Sequence, residues 1–257
     1  MYPFRLVVGF VVLLLAMACG KNTVEPTQTE FGQAYYPLAV GQTWTYAVDS
    51  VVVHPVIGGI AFDTVSLQMQ ETLVDSFTDA SGQLWYRGAR SFRADATHSW
   101  AFAQTFLLGH STYGALRREG NLTFVTLPFP PHAGTRWAGN AAFDEFTEVG
   151  VGGEVIELFV GWDYRVLSSG EPASAPAPDY PDVVQIEAAN FEGLIDRRYV
   201  TETYARGVGL IYRALDILHT QCQACCQGNT AQCLDLPWPA KAEKGFYLRQ
   251  RLLDFQQ

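Results

Sequence analysis

The chain has 257 residues, with 17 basic and 26 acidic side chains and a formal net charge of −9. This acidic balance argues against nucleic acid and anionic lipid headgroups as partners of the protein surface, because both repel negative charge. Hydrophobic residues make up 48% of the sequence and aromatic residues 13%. That content is enough for a substantial core and excludes an intrinsically disordered chain.

The N-terminus carries the pattern of an export signal. A positive charge at Arg5 precedes an unbroken apolar run from Leu6 to Ala18, which is too short to span a bilayer as a helix and suits a signal peptide. The run ends in the small-x-small pattern Ala16-Met17-Ala18 that a signal peptidase accepts. Residues 1–18 are therefore predicted to be a signal peptide.

Cys19 follows this cleavage pattern directly, and the segment resembles the lipobox of bacterial lipoproteins. The resemblance implies that the sulfur is diacylated and that Cys19 becomes the first residue of the mature protein. Leu15 stands one position earlier than the usual leucine, so ordinary cleavage without lipidation is the alternative. The chain has five cysteines, and lipidation would leave an even number for pairing. We expect a lipid-anchored protein of the cell envelope, at the outer membrane, with residues 19–34 as the lipidated N-terminus and a flexible tether.

From residue 35 the signals are almost all those of β-strands. Trp44, Tyr46 and Val48 alternate with more polar residues, the period of two expected when one face of a strand is buried. Further strands are predicted around 65–69, 84–92, 98–107, 112–118, 121–127, 154–167, 183–189, 194–204, 210–218 and 246–255. Gly120-Asn121 is a tight-turn signal that links two of these strands as a hairpin. The pattern predicts an all-β fold, an antiparallel curled sheet (barrel, half-barrel or sandwich) with short helices at most.

Three segments interrupt the strands. Pro128–Asn140 contains three prolines and two glycines, and we predict an ordered loop packed by Phe129 and Trp137. Residues 168–181 are rich in Pro, Ala and Ser and form either a long loop within one domain or a linker between two domains. Residues 219–240 form a cysteine-rich loop. Because neither half of the chain has a complete set of strands, we predict a single β-rich domain over residues 35–257.

Several stretches resemble a family of uncharacterised lipoproteins from Bacteroidetes-type bacteria. They are Tyr36-Pro37-Leu38 with Val40-Gly41 and Trp44-Thr45-Tyr46, Leu127-Pro128-Phe129-Pro130 with Gly134, Trp137 and Gly139-Asn140, Glu202-Thr203-Tyr204-Ala205-Arg206-Gly207-Val208-Gly209-Leu210-Ile211-Tyr212, and Gly245-Phe246 with Leu248, Gln250 and Leu252-Leu253-Asp254. The resemblance implies a β-rich, lipid-anchored envelope protein and implies no particular activity.

The cysteine-rich loop offers the one local cluster of reactive side chains. Cys222, Cys225, Cys226 and Cys233 are expected to form two disulfides, because exported cysteines are usually oxidised. A bond between the adjacent Cys225 and Cys226 is disfavoured, since their Cα atoms are only ~3.8 Å apart. The remaining pairings are Cys222–Cys225 with Cys226–Cys233, or Cys222–Cys226 with Cys225–Cys233. The alternatives are a soft-metal site that also includes His219, or redox activity of the Cys222-to-Cys225 spacing.

Other polar residues carry weaker signals. Asp144, Glu145 and Glu148 could bind calcium or act as an acid/base pair, although a short acidic run is usually a solvated surface. The other histidines are scattered without ligand spacing, namely His54, His98, His110 and His132. Sequence motifs of nucleophilic, metal-dependent and nucleotide-dependent enzymes are absent.

These observations predict a protein that is not an enzyme and uses no cofactor, serving as a lipid-anchored binding or assembly module of the envelope. Its expected partners are the membrane, through the N-terminal lipid, and other envelope proteins or an apolar ligand. One alternative is a carrier that encloses a lipid-like ligand in a cavity of the curled sheet. The other is an enzyme acting on envelope or extracellular polymers. An apolar cavity inside the sheet would favour the carrier, converging carboxylates the enzyme, and a filled core the module.

Overall fold

The structure is a computed structural model that describes residues 32–173 and 180–257. The predicted signal peptide, Cys19 and most of the tether therefore lie outside the described residues, as do residues 174–179 of the predicted Pro/Ala-rich loop. No helix in the described part of the chain is long and apolar enough to cross a membrane.

Fourteen strands and three short helices lie entirely within the described residues, and residues 32–33 are also helical. The strands are β1 (Thr43–Val56), β2 (Gly59–Thr78), β3 (Leu84–Arg93), β4 (Ala101–His110), β5 (Gly114–Glu119), β6 (Leu122–Pro128), β7 (Arg136–Trp137), β8 (Glu148–Val151), β9 (Glu154–Glu157), β10 (Tyr164–Glu171), β11 (Val183–Glu192), β12 (Asp196–Ala205), β13 (Gly209–His219) and β14 (Lys244–Gln256). The helices are α1 (Gln223–Cys226), α2 (Thr230–Leu234) and α3 (Trp238–Lys241). The prediction of an all-β fold with only short helices is confirmed.

Twelve strands form one antiparallel sheet in the order β6-β5-β4-β3-β2-β1-β14-β13-β12-β11-β10-β7, and β8 and β9 form a separate hairpin. Most neighbours in the sheet are consecutive in sequence, as a chain of hairpins requires. The predicted hairpin at Gly120-Asn121 joins β5 to β6, with Glu119 opposite Leu122. In β1 the residues Trp44, Tyr46 and Val48 are buried as the alternation predicts.

The sheet curls until its two edges come close to one another. At the β6 edge, the Val125 amide donates to the Gly139 carbonyl at 2.8 Å. The Trp137 indole Nε1 of β7 donates to the Val125 carbonyl at 2.7 Å. These bonds supply partners for backbone groups that an open edge strand would leave unpaired. They nearly close the sheet into a barrel-like layer with a distinct interior.

The two ends of this curled sheet are covered by different segments. At one end, Tyr35 and Tyr36 are buried, with 5.9 Å between the ring centroids of Tyr36 and Tyr204. At the other end, the β8–β9 hairpin packs near the start of β14, where the Lys244 ammonium donates to the Val155 carbonyl at 3.1 Å. Two hydrophobic clusters result, one beneath each covering segment.

Three sequence predictions differ from the structure in detail. The single strand predicted over 154–167 is two strands, because the chain turns between β9 and β10 through Gly161, which has a φ of 73°. The loop predicted over 128–140 contains β7, so Trp137 belongs to the sheet edge rather than only filling a loop. The packed region also begins before residue 35, because Gly32 is buried and the Ala34 carbonyl accepts the Gly207 amide at 2.7 Å.

The predicted loop over 168–181 is shorter than expected. Strand β10 runs to Glu171, which pairs with Val183 of β11. Only the residues between these two strands can form the connection. Because β11 continues the same sheet after this connection, the segment joins neighbouring strands of one sheet.

Candidate functional site

The interior of the curled sheet holds a cavity of about 550 Å³, within the ~300–1,000 Å³ usual for small-molecule sites. Its lining side chains come from nine strands of the large sheet and from the β8–β9 region. The apolar members are Val48, Leu67, Met69, Phe92, Leu122, Phe124, Val149, Leu158, Phe159, Trp162, Tyr164, Val200, Leu215, Phe246 and Leu248; the polar members are Arg90, Arg117, Glu119, Thr126, Glu202, Arg213 and Gln250. The cavity is thus an apolar chamber with a limited set of polar groups.

Aromatic rings form the wall of the chamber near the β8–β9 hairpin. Phe159 contacts Phe124, Phe143 and Trp162 at centroid distances of 5.5, 4.9 and 5.4 Å. Trp162 continues the row to Tyr164 at 5.7 Å. Several of these contacts are edge-on or tilted, the arrangements that aromatic pairs prefer. The rings support one another and keep this end of the chamber apolar.

The polar groups are concentrated toward the opposite end, beneath Tyr36. Glu71 of β2 is only 4% exposed and receives hydrogen bonds from two arginines. The guanidinium of Arg90 donates to Glu71 Oε1 at 2.6 Å, and that of Arg117 donates to the same oxygen at 2.6 Å. Glu119 bridges the same two arginines, accepting from Arg117 Nε at 2.9 Å and from Arg90 Nη1. These four side chains form a closed ion-pair network.

This network fixes the charge of its carboxylates. Burial would raise the pKa of Glu71, but Arg117 and Arg90 outweigh it and lower the pKa to about 2. The pKa of Glu119 is lowered for the same reason, with burial again opposing the two arginines. Carboxyl groups held ionised in this way are weak proton acceptors. The network is therefore suited to holding its strands together by ion pairs rather than to acting as a general base.

A second ion pair lies next to the first on β12 and β13. Glu202 and Arg213 face each other in the sheet register, and Arg213 Nε donates to Glu202 Oε1 at 2.6 Å. The other oxygen of Glu202 accepts the Tyr204 hydroxyl at 2.5 Å. Burial opposes the charge of Arg213, but Glu202 and Tyr204 outweigh it, so the pKa of Arg213 is raised. Three arginines and three glutamates thus balance each other around the polar end of the chamber.

None of these six charged residues was predicted from the sequence as a site residue, and Glu202 was named only within a stretch of family resemblance. In the sequence, such a residue is a charged side chain at a strand position where its neighbours on the inward face are apolar. Glu71, between Met69 and Leu73, is an example. Partners such as Glu71 and Arg117 are 46 residues apart. Only the folded sheet brings them together.

In the cysteine-rich loop, the structure corrects the predicted pairings. Cys222 is bonded to Cys233, with 5.7 Å between their Cα atoms, whereas Cys225 and Cys226 are free thiols. The reason is the path of the chain, because α1 ends in a tight reversal through Gly228, whose amide donates to the Cys222 carbonyl. Helix α2 then returns toward α1 and places Cys233 against Cys222. Neither predicted pair of disulfides is formed.

The alternative metal set is brought together only in part. The sulfur atoms of Cys225, Cys226 and Cys233 lie within 4.8 Å of one another. His219 does not join them, because its Nδ1 pairs with Asp196 Oδ1 at 2.9 Å. His219 instead lines a surface groove of about 540 Å³ beside the loop. A hydrogen bond with Cys225 and partial burial raise the pKa of Cys226 to about 11, which makes its thiolate scarce at neutral pH.

The other predicted polar residues have local roles. Asp144 Oδ1 accepts the Phe146 amide at 3.0 Å, and Glu145 accepts the Gly161 amide at 3.2 Å, so both stabilise turns. Asp144, Glu145 and Glu148 are all exposed. The scattered histidines remain apart: His54 pairs with Asp63, His98 pairs with Asp95, His110 bonds the Tyr36 carbonyl, and His132 is exposed.

No protein family and no curated protein matches this sequence. Two solved structures show a distant likeness. One is a predicted exported protein with a YmcC-like fold from Bacteroides fragilis NCTC 9343, at 9% identity and a TM-score of 0.35. The other is a predicted lipoprotein from Parabacteroides distasonis ATCC 8503, at 12% identity and a TM-score of 0.32. Each match covers 86% of this chain and 98% of the other. At this level of similarity neither assigns a function.

Proposed function

We propose that the protein binds and carries an apolar ligand inside its curled sheet. The observation that supports this proposal is the chamber of about 550 Å³, which the chain's own side chains do not fill. Protein interiors are normally close-packed, with few voids larger than a water molecule. A chamber of this size, lined mainly by aliphatic and aromatic groups, is typical of a ligand site rather than of a packing defect.

The free energy of packing supports the same interpretation. Atoms that line an unfilled space lose the dispersion contacts that close packing would give them. An apolar ligand in the chamber would restore the missing contacts.

The chamber favours the carrier over the other two functions predicted from the sequence. A module that acts only through its surface would not require an unfilled interior. An enzyme would be supported by carboxylates free to transfer protons, whereas Glu71 and Glu119 are each paired with two arginines. We therefore propose a non-enzymatic carrier.

We further propose that this carrier is anchored in the cell envelope through a lipid on Cys19, at the outer membrane, after removal of residues 1–18. The support is the export signal followed directly by a cysteine. An anchor at the membrane surface would keep the carrier next to a source of apolar ligands. It would also make the membrane its constant partner.

The binding test uses the neutral fluorescent probe N-phenyl-1-naphthylamine. We expect saturable binding of one probe per chain. Leu215 lies in the middle of the cavity wall, and its replacement by Trp fills part of the chamber. This substitution should weaken probe binding at least about tenfold, which corresponds to a loss of ~1.4 kcal/mol of binding free energy. The matched control is Leu253→Trp, at a position of β14 that is 46% exposed, which should bind the probe like the wild type.

A second filling variant, Val200→Phe, guards against misfolding of the first, since Val200 lies opposite Leu215 in the sheet register. Urea midpoints of all variants establish that they are folded. The proposal is overturned if the wild type shows no saturable probe binding. It is also overturned if both folded filling variants bind as tightly as Leu253→Trp.

A further inference from the structure

The polar end of the chamber has hydrogen-bond donors that the described side chains do not use. Arg90 and Arg117 each use all three guanidinium nitrogens on Glu71 and Glu119. Arg213 uses only Nε, on Glu202. Within the described residues, its two terminal nitrogens have no hydrogen-bond partner.

The carboxylates do not offer a matching surplus of acceptors. Both oxygens of Glu202 are occupied, by Arg213 and by the Tyr204 hydroxyl. Both oxygens of Glu119 accept from arginine as well. The groups left open at this end of the chamber are therefore mainly donors, so they suit a ligand that accepts hydrogen bonds.

Two further polar side chains face the same space. Gln250 is directly opposite Arg213 in the β13–β14 register and only 4% exposed. Its amide has no hydrogen-bond partner in the described part of the chain and is not among the fully enclosed unpaired groups, so it reaches the open space of the chamber. Tyr164 also lines the chamber, and its hydroxyl finds no partner among residues 32–173 and 180–257.

The next residues on the same face of these strands are apolar. Two positions along from Glu202, Arg213 and Gln250 lie Val200, Leu215 and Leu248, which are paired across the three strands in turn. Side chains two residues apart in a strand share a face. Along these three strands, the wall thus changes from polar to apolar side chains over two residues, in the direction of the aromatic end.

From this arrangement, and on the basis of the proposed function, we propose that the ligand is a single-chain amphiphile with an anionic oxygen headgroup. The terminal nitrogens of Arg213 and the amide of Gln250 bind the headgroup, a carboxylate or a phosphate. Its alkyl chain lies along Leu215 and Leu248. A planar guanidinium presents parallel donors that match the paired oxygens of both headgroups.

The net charge of −9 does not contradict this proposal. Charge on the surface acts on the approach of large anionic bodies such as membranes and is screened by salt within about 10 Å. A headgroup in the chamber instead contacts Arg213 directly. A hydrogen bond to a charged partner is also stronger than one between neutral groups.

The test measures displacement of bound N-phenyl-1-naphthylamine from the mature protein by four ligands with the same twelve-carbon chain. They are laurate, dodecyl phosphate, 1-dodecanol and dodecylamine. We expect the two anions to displace the probe at least about tenfold better than the alcohol, and the amine to be weakest, because a charge-assisted bond adds about one decade of affinity. The ratio of laurate to dodecyl phosphate identifies the preferred headgroup.

Two variants locate the headgroup site. Arg213→Met should reduce laurate affinity about tenfold and leave that of 1-dodecanol within about twofold. Gln250→Met removes a side chain that has no partner in the described chain, so it should preserve the fold and lower the preference for laurate by a smaller factor. Arg251→Met, at the exposed neighbour of Gln250, is the control and should change neither affinity.

The outcomes separate the two proposals. If the probe does not bind, the proposed function fails, and this inference fails with it. If the probe binds but laurate and 1-dodecanol displace it equally, or dodecylamine is the strongest, the anionic headgroup is refuted while the carrier function stands. The assignment to Arg213 and Gln250 is refuted if laurate keeps its preference in both folded variants.

Discussion

The substitution Glu71→Gln should strongly destabilise the fold. Glu71 is 4% exposed and accepts hydrogen bonds from both Arg90 and Arg117. Glutamine keeps the shape of the side chain but removes the charge, so two buried guanidiniums share the single remaining carboxylate of Glu119. Breaking a buried ion pair by removing one partner costs about 3–5 kcal/mol. With a urea m-value of about 2–3 kcal/mol per M, the unfolding midpoint should fall by roughly 1–2.5 M.

The assay is urea unfolding followed by circular dichroism, with a matched control on the same strand. Asp75 of β2 pairs with Arg87 at 3.4 Å, but both side chains are about half exposed, at 50% and 47%. Exposed pairs contribute about 0–1 kcal/mol, so Asp75→Asn should barely move the midpoint. The reasoning is refuted if Glu71→Gln loses less than about 1 kcal/mol, or no more than Asp75→Asn.

Three further predictions concern pH, the cysteine loop and the anchor. Because the folded pKa of Glu71, about 2, lies below its ordinary value of 4.5, its stabilising contribution is present above that ordinary value and is lost as the pH falls toward the folded pKa. Urea midpoints from pH 6 to pH 3 should therefore fall more steeply in the wild type than in Glu71→Gln, and equal slopes would contradict this. Reduction of the Cys222–Cys233 bond should loosen the loop by roughly 2–3 kcal/mol and leave the sheet folded; thiol titration should give two free thiols in that loop before reduction, and four with bound zinc would instead support a metal site. Cys19→Ser should abolish lipidation, which intact-mass analysis checks, and an unmodified Cys19 in the mature wild type would refute the anchor.

Local patterns in the sequence were sufficient to predict the fold class. The alternation at Trp44, Tyr46 and Val48 identified β1, and the Gly120 turn identified the β5–β6 hairpin, because both features depend only on neighbouring residues. The prediction of one strand over 154–167 was wrong at its centre, where the chain turns between β9 and β10. Apolar residues there serve a turn that carries Phe159 and Trp162 into the chamber wall, and an apolar run does not reveal such a turn.

The candidate site depends on features that no local pattern contains. The size of the chamber results from the curvature of twelve strands, and the ion pairs join residues from distant strands, such as Glu71 and Arg117. The cysteine pairing failed for a related reason, since spacing alone did not predict the reversal at Gly228 that brings Cys233 to Cys222. From the sequence, an apolar cavity inside the sheet was the feature that would favour the alternative of a carrier, and the described chain contains such a cavity.

The most direct test of the carrier is to extract lipid from the protein purified from the cell envelope and quantify it by mass spectrometry. A covalent lipid on Cys19 would remain with the chain, and membrane lipid adsorbed during purification would be released equally from Leu215→Trp and Leu253→Trp. We predict close to one equivalent of extractable amphiphile per wild-type chain, and much less from Leu215→Trp than from Leu253→Trp. If the wild type releases no more lipid than Leu215→Trp, the chamber does not hold a ligand and the carrier function is wrong.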